Sequence, residues 1–195
     1  LPIWAPAWTP PTVWSWLPTG WKLRWEKRLL AYVQWQRERE AEGWRWRQAE
    51  TRVCRELPLD DGASVEFYGR IDRIDTMKDE AVVSLLDYKT QRIQQIRERL
   101  KDDVQLPAYA LLVGDAAQAA YVALDDERIV AVDAGGASER TDPQAGGLAD
   151  AAQAQGDRFV RAFAELRAGA PLPAHGVERV CTYCEMRGLC RRDHV

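Results

Sequence analysis

Two strand-like segments joined by a short polar step constrain the fold of this chain more than any other feature. Residues 65–76 and 81–88 are rich in β-branched and apolar side chains, and the polar residues 77–80 separate them. This pattern predicts a β-hairpin. If the chain reverses in the middle of the polar step, Asp72 lies opposite Asp87 on the neighbouring strand.

This predicted juxtaposition of Asp72 and Asp87 is electrostatically costly. Opposed Cβ atoms lie about 5 Å apart, and at an effective dielectric constant of about 20 the repulsion costs about 3 kcal/mol. Strand alternation places Lys89 on the face of Asp87, where its ammonium offsets part of the repulsion. A divalent cation offsets it fully, and oxygen ligands suit Mg²⁺ or Mn²⁺. The hairpin therefore predicts either a metal site or a surface hairpin with a salt bridge.

A polar pair follows the hairpin on a predicted helix. Asp102 or Asp103 can cap this helix, which runs to Val113. Gln105 and Tyr109 are four residues apart, so they project from one helical face. An amide and a phenol there suit a phosphate or nucleotide held near a metal, although such a pair is also common on helix surfaces and in cores.

The order of predicted elements indicates an α/β fold with a mixed central sheet flanked by helices. Residues 1–20 form a proline- and tryptophan-rich strap, and residues 21–195 form one domain with a cysteine-rich tail over 175–195. The predicted elements are a helix from Trp21 to about Glu50, strands over 53–59, 65–76 and 81–88, two helices between 93 and 113, strands over 121–124 and 128–132, a surface loop over 133–147 and a helix over 148–166.

Tryptophan is concentrated at one end of the chain. All nine tryptophans precede residue 47. We interpret them as aromatic side chains that fasten the first helix to the core, and base stacking is the alternative interpretation.

Charge and apolar patterning exclude several classes of protein. Lys and Arg number 27 against 30 Asp and Glu, a net charge of −3, which excludes a strongly basic binder but leaves nucleic acid as a partner. No apolar run is long enough to cross a membrane, and no signal peptide is recognisable. We therefore expect a cytoplasmic protein without a membrane partner. Because residue 1 is Leu, we interpret the chain as a piece of a longer polypeptide.

Three cysteines stand close together near the end of the sequence. Cys181, Cys184 and Cys190 follow a proline-rich segment, and such close spacing favours a metal or cluster site over packing. With His194 they form a possible zinc ligand set. Reduced free thiols are the third possibility, and disulfides are least expected because nothing indicates secretion.

Three segments in order carry a family resemblance: Gly69–Asp75, Asp87–Thr90 and Gln105–Tyr109. Over about residues 50–113 this set resembles the RecB-like nuclease family of the PD-(D/E)XK superfamily, and AddB-type DNA repair exonuclease modules are the most similar in style. The resemblance implies a restriction-endonuclease-like core and an enzyme that hydrolyses DNA phosphodiester bonds with Mg²⁺ or Mn²⁺. It also implies exonuclease action beside a helicase in double-strand-break repair and recombination.

The resemblance implies a role for each matching residue. Asp72, Asp87 and the carbonyl of Tyr88 would bind the metal, and Lys89 would be the catalytic lysine. The accessory catalytic pair would be Gln105 and Tyr109.

The resemblance also implies a [4Fe–4S] cluster that staples the chain ends around the core. Its ligands would be Cys54, Cys181, Cys184 and Cys190, four thiolates as such clusters usually require. Cys54 follows the first helix, later than the family's upstream cysteine, so a buried strand residue is the alternative for it.

One departure from the family concerns a histidine on an upstream helix that supplies a further metal ligand. The only histidines here are His175 and His194, both far downstream. Either the histidine lies upstream of this sequence, which we favour, or Glu50 replaces it, or the site is weakened. The alternative function is therefore a catalytically inactive DNA-end binding module of the same fold. The third hypothesis is a structural metal-binding interaction domain, in which Asp72, Asp87 and Lys89 are ordinary surface charges.

Overall fold

The computed structural model describes residues 19–77, 81–100, 103–133, 147–171, 181–182 and 184–190. Most of the predicted strap over 1–20, the turn residues 78–80 and most of the predicted loop over 133–147 lie outside these ranges. The helices are α1 (Thr19–Ala41), α2 (Ile93–Leu100), α3 (Gln105–Val113), α4 (Leu148–Arg167) and a short α5 (Arg187–Cys190). The strands are β1 (Arg45–Pro58), β2 (Ser64–Met77), β3 (Val82–Lys89), β4 (Ala116–Ala123) and β5 (Val130–Asp133).

The five strands form one sheet in the order β1-β2-β3-β4-β5. Neighbouring strands are antiparallel except β3 and β4, which are parallel. Parallel neighbours need a crossover connection, and here the crossover contains α2 and α3. The mixed sheet flanked by helices confirms the predicted α/β fold and is consistent with a restriction-endonuclease-like core.

The first helix is shorter than predicted. It ends at Ala41 rather than near Glu50, and residues from Arg45 onward form β1. Gly43 adopts a φ of 101°, a left-handed conformation that commonly terminates helices. The backbone N–H of Trp44 donates to the Arg39 carbonyl at 3.2 Å and closes the last turn. The prediction from the sequence pattern extended the helix beyond this glycine and was wrong there.

The sheet separates two apolar cores. On one face, Ile74 and Leu85 pack with residues of α3 and α4 such as Leu106 and Leu148. On the other face, a smaller cluster around Leu86 packs against α1.

The aromatic residues of α1 fasten it to the sheet only in part. Tyr32 and Trp35 pack on the smaller core. Trp25 and Leu29, expected on the same face, are 47% and 55% exposed.

The regular alternation of side chains between the two faces of the sheet is interrupted in β2 just before the candidate site. Ile71 and Ile74 belong to the same core cluster although they are three positions apart, and strict alternation would place them on opposite faces. Asp72 lies within this irregular stretch. The residue opposite it in the register of β1 is Glu50, which has a φ of 54°. The distortion leaves Asp72 and Ile74 on the face that α3 covers.

Helix α3 packs closely on β2 because one residue there lacks a side chain. A Cβ atom added to Gly69 would lie 2.7 Å from Leu112 Cδ1 and 3.8 Å from Tyr109 Cε1. A side chain at this position would force Leu112 to move. Gly69 therefore allows the side chains of α3 to pack directly on the backbone of β2.

The turn predicted around residues 60–62 is present. The N–H of Leu59 donates to the Ala63 carbonyl at 2.8 Å, and Gly62 has a φ of 80°. None of the helices in the described ranges has both the length and the apolar character that a membrane span requires.

Candidate active site

Strands β2 and β3 pair in the register that the sequence predicted. Arg73 lies opposite Leu86 and Ile74 opposite Leu85, so Asp72 and Asp87 come directly after the last paired position of this register. The two carboxylates are not equivalent. Asp87 is 2% exposed, whereas Asp72 is only partly buried. The Asp72 carboxylate accepts a hydrogen bond from the backbone N–H of Tyr88 at 3.0 Å, which ties it to β3 beside Asp87.

The side chains of Asp87, Lys89, Gln105 and Tyr109 form a connected group. Lys89 Nζ lies 2.6 Å from Asp87 Oδ2 and donates to Gln105 Oε1 at 3.0 Å. Gln105 Nε2 donates to Asp87 Oδ1 at 2.7 Å and to the Tyr109 hydroxyl at 2.9 Å. The residues predicted to act together on β3 and α3 are therefore in contact.

One oxygen of the buried carboxylate has no well-directed donor. Asp87 Oδ2 is buried and accepts no hydrogen bond of acceptable direction among the described residues. The Lys89 ammonium beside it makes an ion pair of poor hydrogen-bond geometry. A buried acceptor without a donor is costly, and a cation that binds there would remove this cost.

Burial and neighbouring charges both act on Asp87. Desolvation raises the pKa of this carboxyl, Lys89 opposes the rise, and the negative charges of Asp72 and Asp103 add to it. Burial also raises the pKa of the Tyr109 phenol, and the charges of Asp87 and Asp72 raise it further. The site therefore concentrates negative charge, which favours a divalent cation.

Comparison with known proteins agrees with this geometry. The family model of the PD-(D/E)XK nuclease superfamily matches residues 4–191, nearly the whole chain. The chain belongs to the PD-(D/E)XK nuclease superfamily. Among solved structures, the chain is similar to that described as the crystal structure of SSO0001, with 16% sequence identity, a TM-score of 0.45 and coverage of 86% of this chain and 69% of that chain. No curated protein matches the chain significantly.

In the described ranges of this superfamily member, few side chains are placed to bind a metal ion. There, no three His, Cys, Asp or Glu side chains lie together as a metal-binding group. Asp103, whose charge also acts on Asp87, does not join Asp72 and Asp87 in such a group. Glu50, considered as a replacement for the missing histidine, pairs instead with Arg70 at 2.5 Å.

The four cysteines of this nuclease-superfamily chain are free thiols. The structure does not gather Cys54, Cys181, Cys184 and Cys190 into a metal-binding group, since no such group exists among the described residues. Cys54 lies on β1 as the alternative predicted, but it is exposed rather than buried. Local desolvation by its neighbours and the charge of Glu66 raise the pKa of its thiol. The N–H of Cys184 donates to the Cys181 carbonyl at 3.2 Å, so these two residues share a turn.

Sequence reasoning missed two residues that border the site. Tyr121 on β4 donates its hydroxyl proton to Asp103 at 2.7 Å. The ring centroid of Tyr121 lies 4.9 Å from Lys89 Nζ. Asp103 was considered only as a helix cap, and the parallel pairing that brings β4 beside β3 has no local sequence signal.

A buried charged network on the opposite face of the sheet was also missed. Asp75 is fully buried and accepts hydrogen bonds from Arg39 Nε and Arg73 Nε, both at 2.6 Å. Arg73 Nη1 also donates to the Tyr88 hydroxyl at 3.1 Å, and the hydroxyls of Tyr88 and Tyr32 are 2.8 Å apart. The network links α1, β2 and β3 directly behind the candidate site.

Proposed function

We propose that this chain is a metal-dependent deoxyribonuclease that hydrolyses phosphodiester bonds at the face formed by β2, β3 and α3. The observation that carries the proposal is the connected group of Asp87, Lys89 and Gln105, with Asp72 held beside it through the Tyr88 N–H. Membership of a nuclease superfamily supports the reaction type.

Asp72, Asp87 and the backbone carbonyl of Tyr88 are the proposed ligands of Mg²⁺ or Mn²⁺. They supply oxygen donors, the type that these ions prefer. Asp87 Oδ2 fits a cation, because it is a buried acceptor that already lies 2.6 Å from the Lys89 ammonium and accepts no well-directed hydrogen bond among the described residues. When bound, a divalent ion lowers the pKa of its water and polarises a phosphoryl oxygen.

Lys89, Gln105 and Tyr109 are the proposed catalytic side chains around this ion. The ammonium of Lys89 is suited to orient the attacking water and to stabilise charge that develops on the phosphate. Gln105 contacts both Lys89 and Asp87, so it keeps the amine and the carboxylate in a fixed relation. The Tyr109 hydroxyl oxygen accepts from Gln105 Nε2, so its own O–H remains free to donate toward the same space.

The finer description of the activity rests on the sequence resemblance. We propose exonuclease action on DNA ends during double-strand-break repair and recombination, beside a helicase subunit or domain. The RecB-like assignment within the superfamily and a cytoplasmic location belong to the same proposal.

One observation favours a second candidate function. Among the described residues no third acidic or imidazole side chain joins Asp72 and Asp87 in a metal-binding group, and the nearby Asp103 is hydrogen-bonded to Tyr121 and to the start of α3. Two carboxylates are a sparse ligand set for catalysis. A DNA-end binding module that has lost turnover is therefore the alternative.

Degradation of linear DNA with Mg²⁺ tests the nuclease proposal. We expect wild type to release nucleotides, and Asp87→Ala and Lys89→Ala to lose this activity. Asp157→Ala on α4 and Lys27→Ala on α1 are matched exposed controls and should keep it. Equal digestion by wild type and both site variants would refute the assignment. Tight binding of DNA ends without cleavage at any Mg²⁺ or Mn²⁺ concentration would favour the binding module.

A [4Fe–4S] cluster on Cys54, Cys181, Cys184 and Cys190 is a separate proposal. It rests on the resemblance and on the close spacing of the last three cysteines, two of which share a turn. Iron and sulfide content of protein purified without oxygen tests it, with Cys184→Ser as the variant that should lose iron. Zinc in place of iron would indicate the alternative metal, and the absence of both would contradict the proposal.

A further inference from the structure

We propose that Asp103 and Tyr121 are positioning residues that hold the Gln105 amide and the Lys89 ammonium in their reactive orientation. This inference rests on the proposed nuclease function and names two residues outside its motifs. Neither residue contacts Asp87 through a hydrogen bond, so their effect passes through Gln105 and Lys89.

Asp103 connects the start of α3 to strand β4 through one carboxylate. Its Oδ1 accepts the Tyr121 hydroxyl at 2.7 Å and the backbone N–H of Gln105 at 3.2 Å. Its Oδ2 accepts the N–H of Leu106 at 3.1 Å. A helix N-terminus with its N–H groups satisfied by a carboxylate is held more firmly than an uncapped one. The first turn of α3, which carries Gln105, is thereby fixed to the sheet.

Tyr121 lies beneath the catalytic amine. It pairs with Asp87 in the parallel register of β3 and β4 and is 4% exposed. Its ring centroid is 4.9 Å from Lys89 Nζ, within the range of a cation–π interaction. Its hydroxyl also lies 3.2 Å from Gln105 Oε1. Burial and the hydrogen bond to Asp103 raise the pKa of Tyr121, so the hydroxyl remains a donor.

The chemistry of the partners fixes the orientation of the Gln105 amide. The Asp87 carboxylate only accepts, so the amide must turn Nε2 toward Asp87 at 2.7 Å. Its Oε1 then faces the Lys89 ammonium at 3.0 Å and the Tyr121 hydroxyl. The single proton of the Tyr121 hydroxyl goes to Asp103 at 2.7 Å, so this hydroxyl acts on the amide mainly by holding Asp103 and the start of α3. Moving the start of α3, or removing the Tyr121 hydroxyl that holds Asp103, would free this amide and, with it, the amine.

If Asp103 and Tyr121 had a purely structural role, a different result would be expected. If Asp103 were only a helix cap and Tyr121 only a core residue, their variants would lower stability and leave the turnover of folded protein unchanged. Positioning groups behind a reactive site typically affect activity by about 10-fold to 100-fold.

The test compares Tyr121→Phe, which keeps the ring, and Asp103→Asn with the control Tyr68→Phe, whose tyrosine is 76% exposed. We expect the two variants to lower kcat on linear DNA about 10-fold or more with little change in KM or in the thermal midpoint. The control should match wild type. Unchanged kcat, or a loss that only follows a loss of folded protein, would overturn the proposal.

A second readout is independent of any nuclease activity. The side-chain amide signal of Gln105 in a ¹H–¹⁵N spectrum, assigned by its disappearance in Gln105→Leu, reports the orientation of the amide directly. We expect it to shift and to exchange faster with solvent in Tyr121→Phe and Asp103→Asn, and to stay in place in Tyr68→Phe. An unmoved signal would refute the positioning role even if wild type cleaves DNA. A moved signal in a protein that does not cleave DNA would support positioning while the nuclease proposal fails.

Discussion

Asp87 is an ionisable side chain held where its charge is unfavourable. It is almost fully buried, one of its oxygens lacks a well-directed donor, and burial with two acidic neighbours raises its pKa. A protein that only needed a stable fold would place a neutral residue here. The unfavourable charge is understandable if a cation binds to it, which is the residue-level basis of the proposed function.

Replacement of Asp87 by Asn should stabilise the metal-free protein while removing nuclease activity. A raised folded-state pKa means that the folded state binds the proton more tightly, so stability falls as pH rises from the unfolded-state value through the folded-state value. At neutral pH the ionised carboxylate therefore destabilises the fold, and Asn removes that effect. We expect a higher thermal midpoint for Asp87→Asn at pH 7 and no difference below about pH 4, where carboxyl groups are protonated.

The exposed Asp157 provides the control for this measurement. Asp157→Asn should show no gain at neutral pH, since its carboxylate lies on the outer face of α4. A lower midpoint for Asp87→Asn than for wild type at pH 7 would contradict the view that the buried charge is unfavourable.

At the level of elements, α1, β2 and β3 are joined by the network around Asp75. Two guanidinium groups, those of Arg39 and Arg73, share this one buried carboxylate. Through the Tyr88 hydroxyl the network reaches the residue between Asp87 and Lys89. The elements that present the site are thus supported from behind by charged hydrogen bonds rather than by apolar packing alone.

Asp75→Ala should destabilise the fold strongly. Removing the shared carboxylate leaves two buried guanidinium groups without their counter-charge, which costs about 3–5 kcal/mol. Asp61→Ala is the matched control, because Asp61 pairs with Arg167 at the surface and such pairs contribute about 0–1 kcal/mol. Chemical denaturation of both variants checks the difference. Equal stabilities would mean that the buried network contributes little.

Several elements of the site could be predicted from the sequence because their signals are local. The register of β2 and β3 followed from the position of the polar turn, and the contact of Gln105 with Tyr109 followed from helical spacing. The end of α1 was missed although Gly43 is a recognisable stop signal.

The contacts of Tyr121 with Lys89 and Asp103 could not be predicted. They depend on the parallel pairing of β3 with β4, and a crossover of two helices between the strands leaves no local trace of that pairing. The irregular alternation at Asp72 was equally absent from the predictions, because the residues of β2 carry no local signal for it.

In the molecule as a whole, the two faces of the sheet carry different kinds of interaction. The face under α1 carries the buried charged network, and the face under α3 and α4 carries the larger apolar core with the acidic site at its border. The net charge of −3 gives no general attraction for nucleic acid. In the proposed function, binding of a DNA phosphate at this site would therefore depend on local charge, namely Lys89 and the proposed cation.

Calorimetric titration of the whole chain with Mn²⁺ tests this account most directly. We predict a Mn²⁺ site in wild type that is lost in both Asp72→Asn and Asp87→Asn and kept in Asp157→Asn. Lys89→Met should bind Mn²⁺ more tightly than wild type, because the ammonium 2.6 Å from Asp87 Oδ2 competes with the ion. Identical Mn²⁺ binding in wild type, Asp72→Asn and Asp87→Asn would contradict the account.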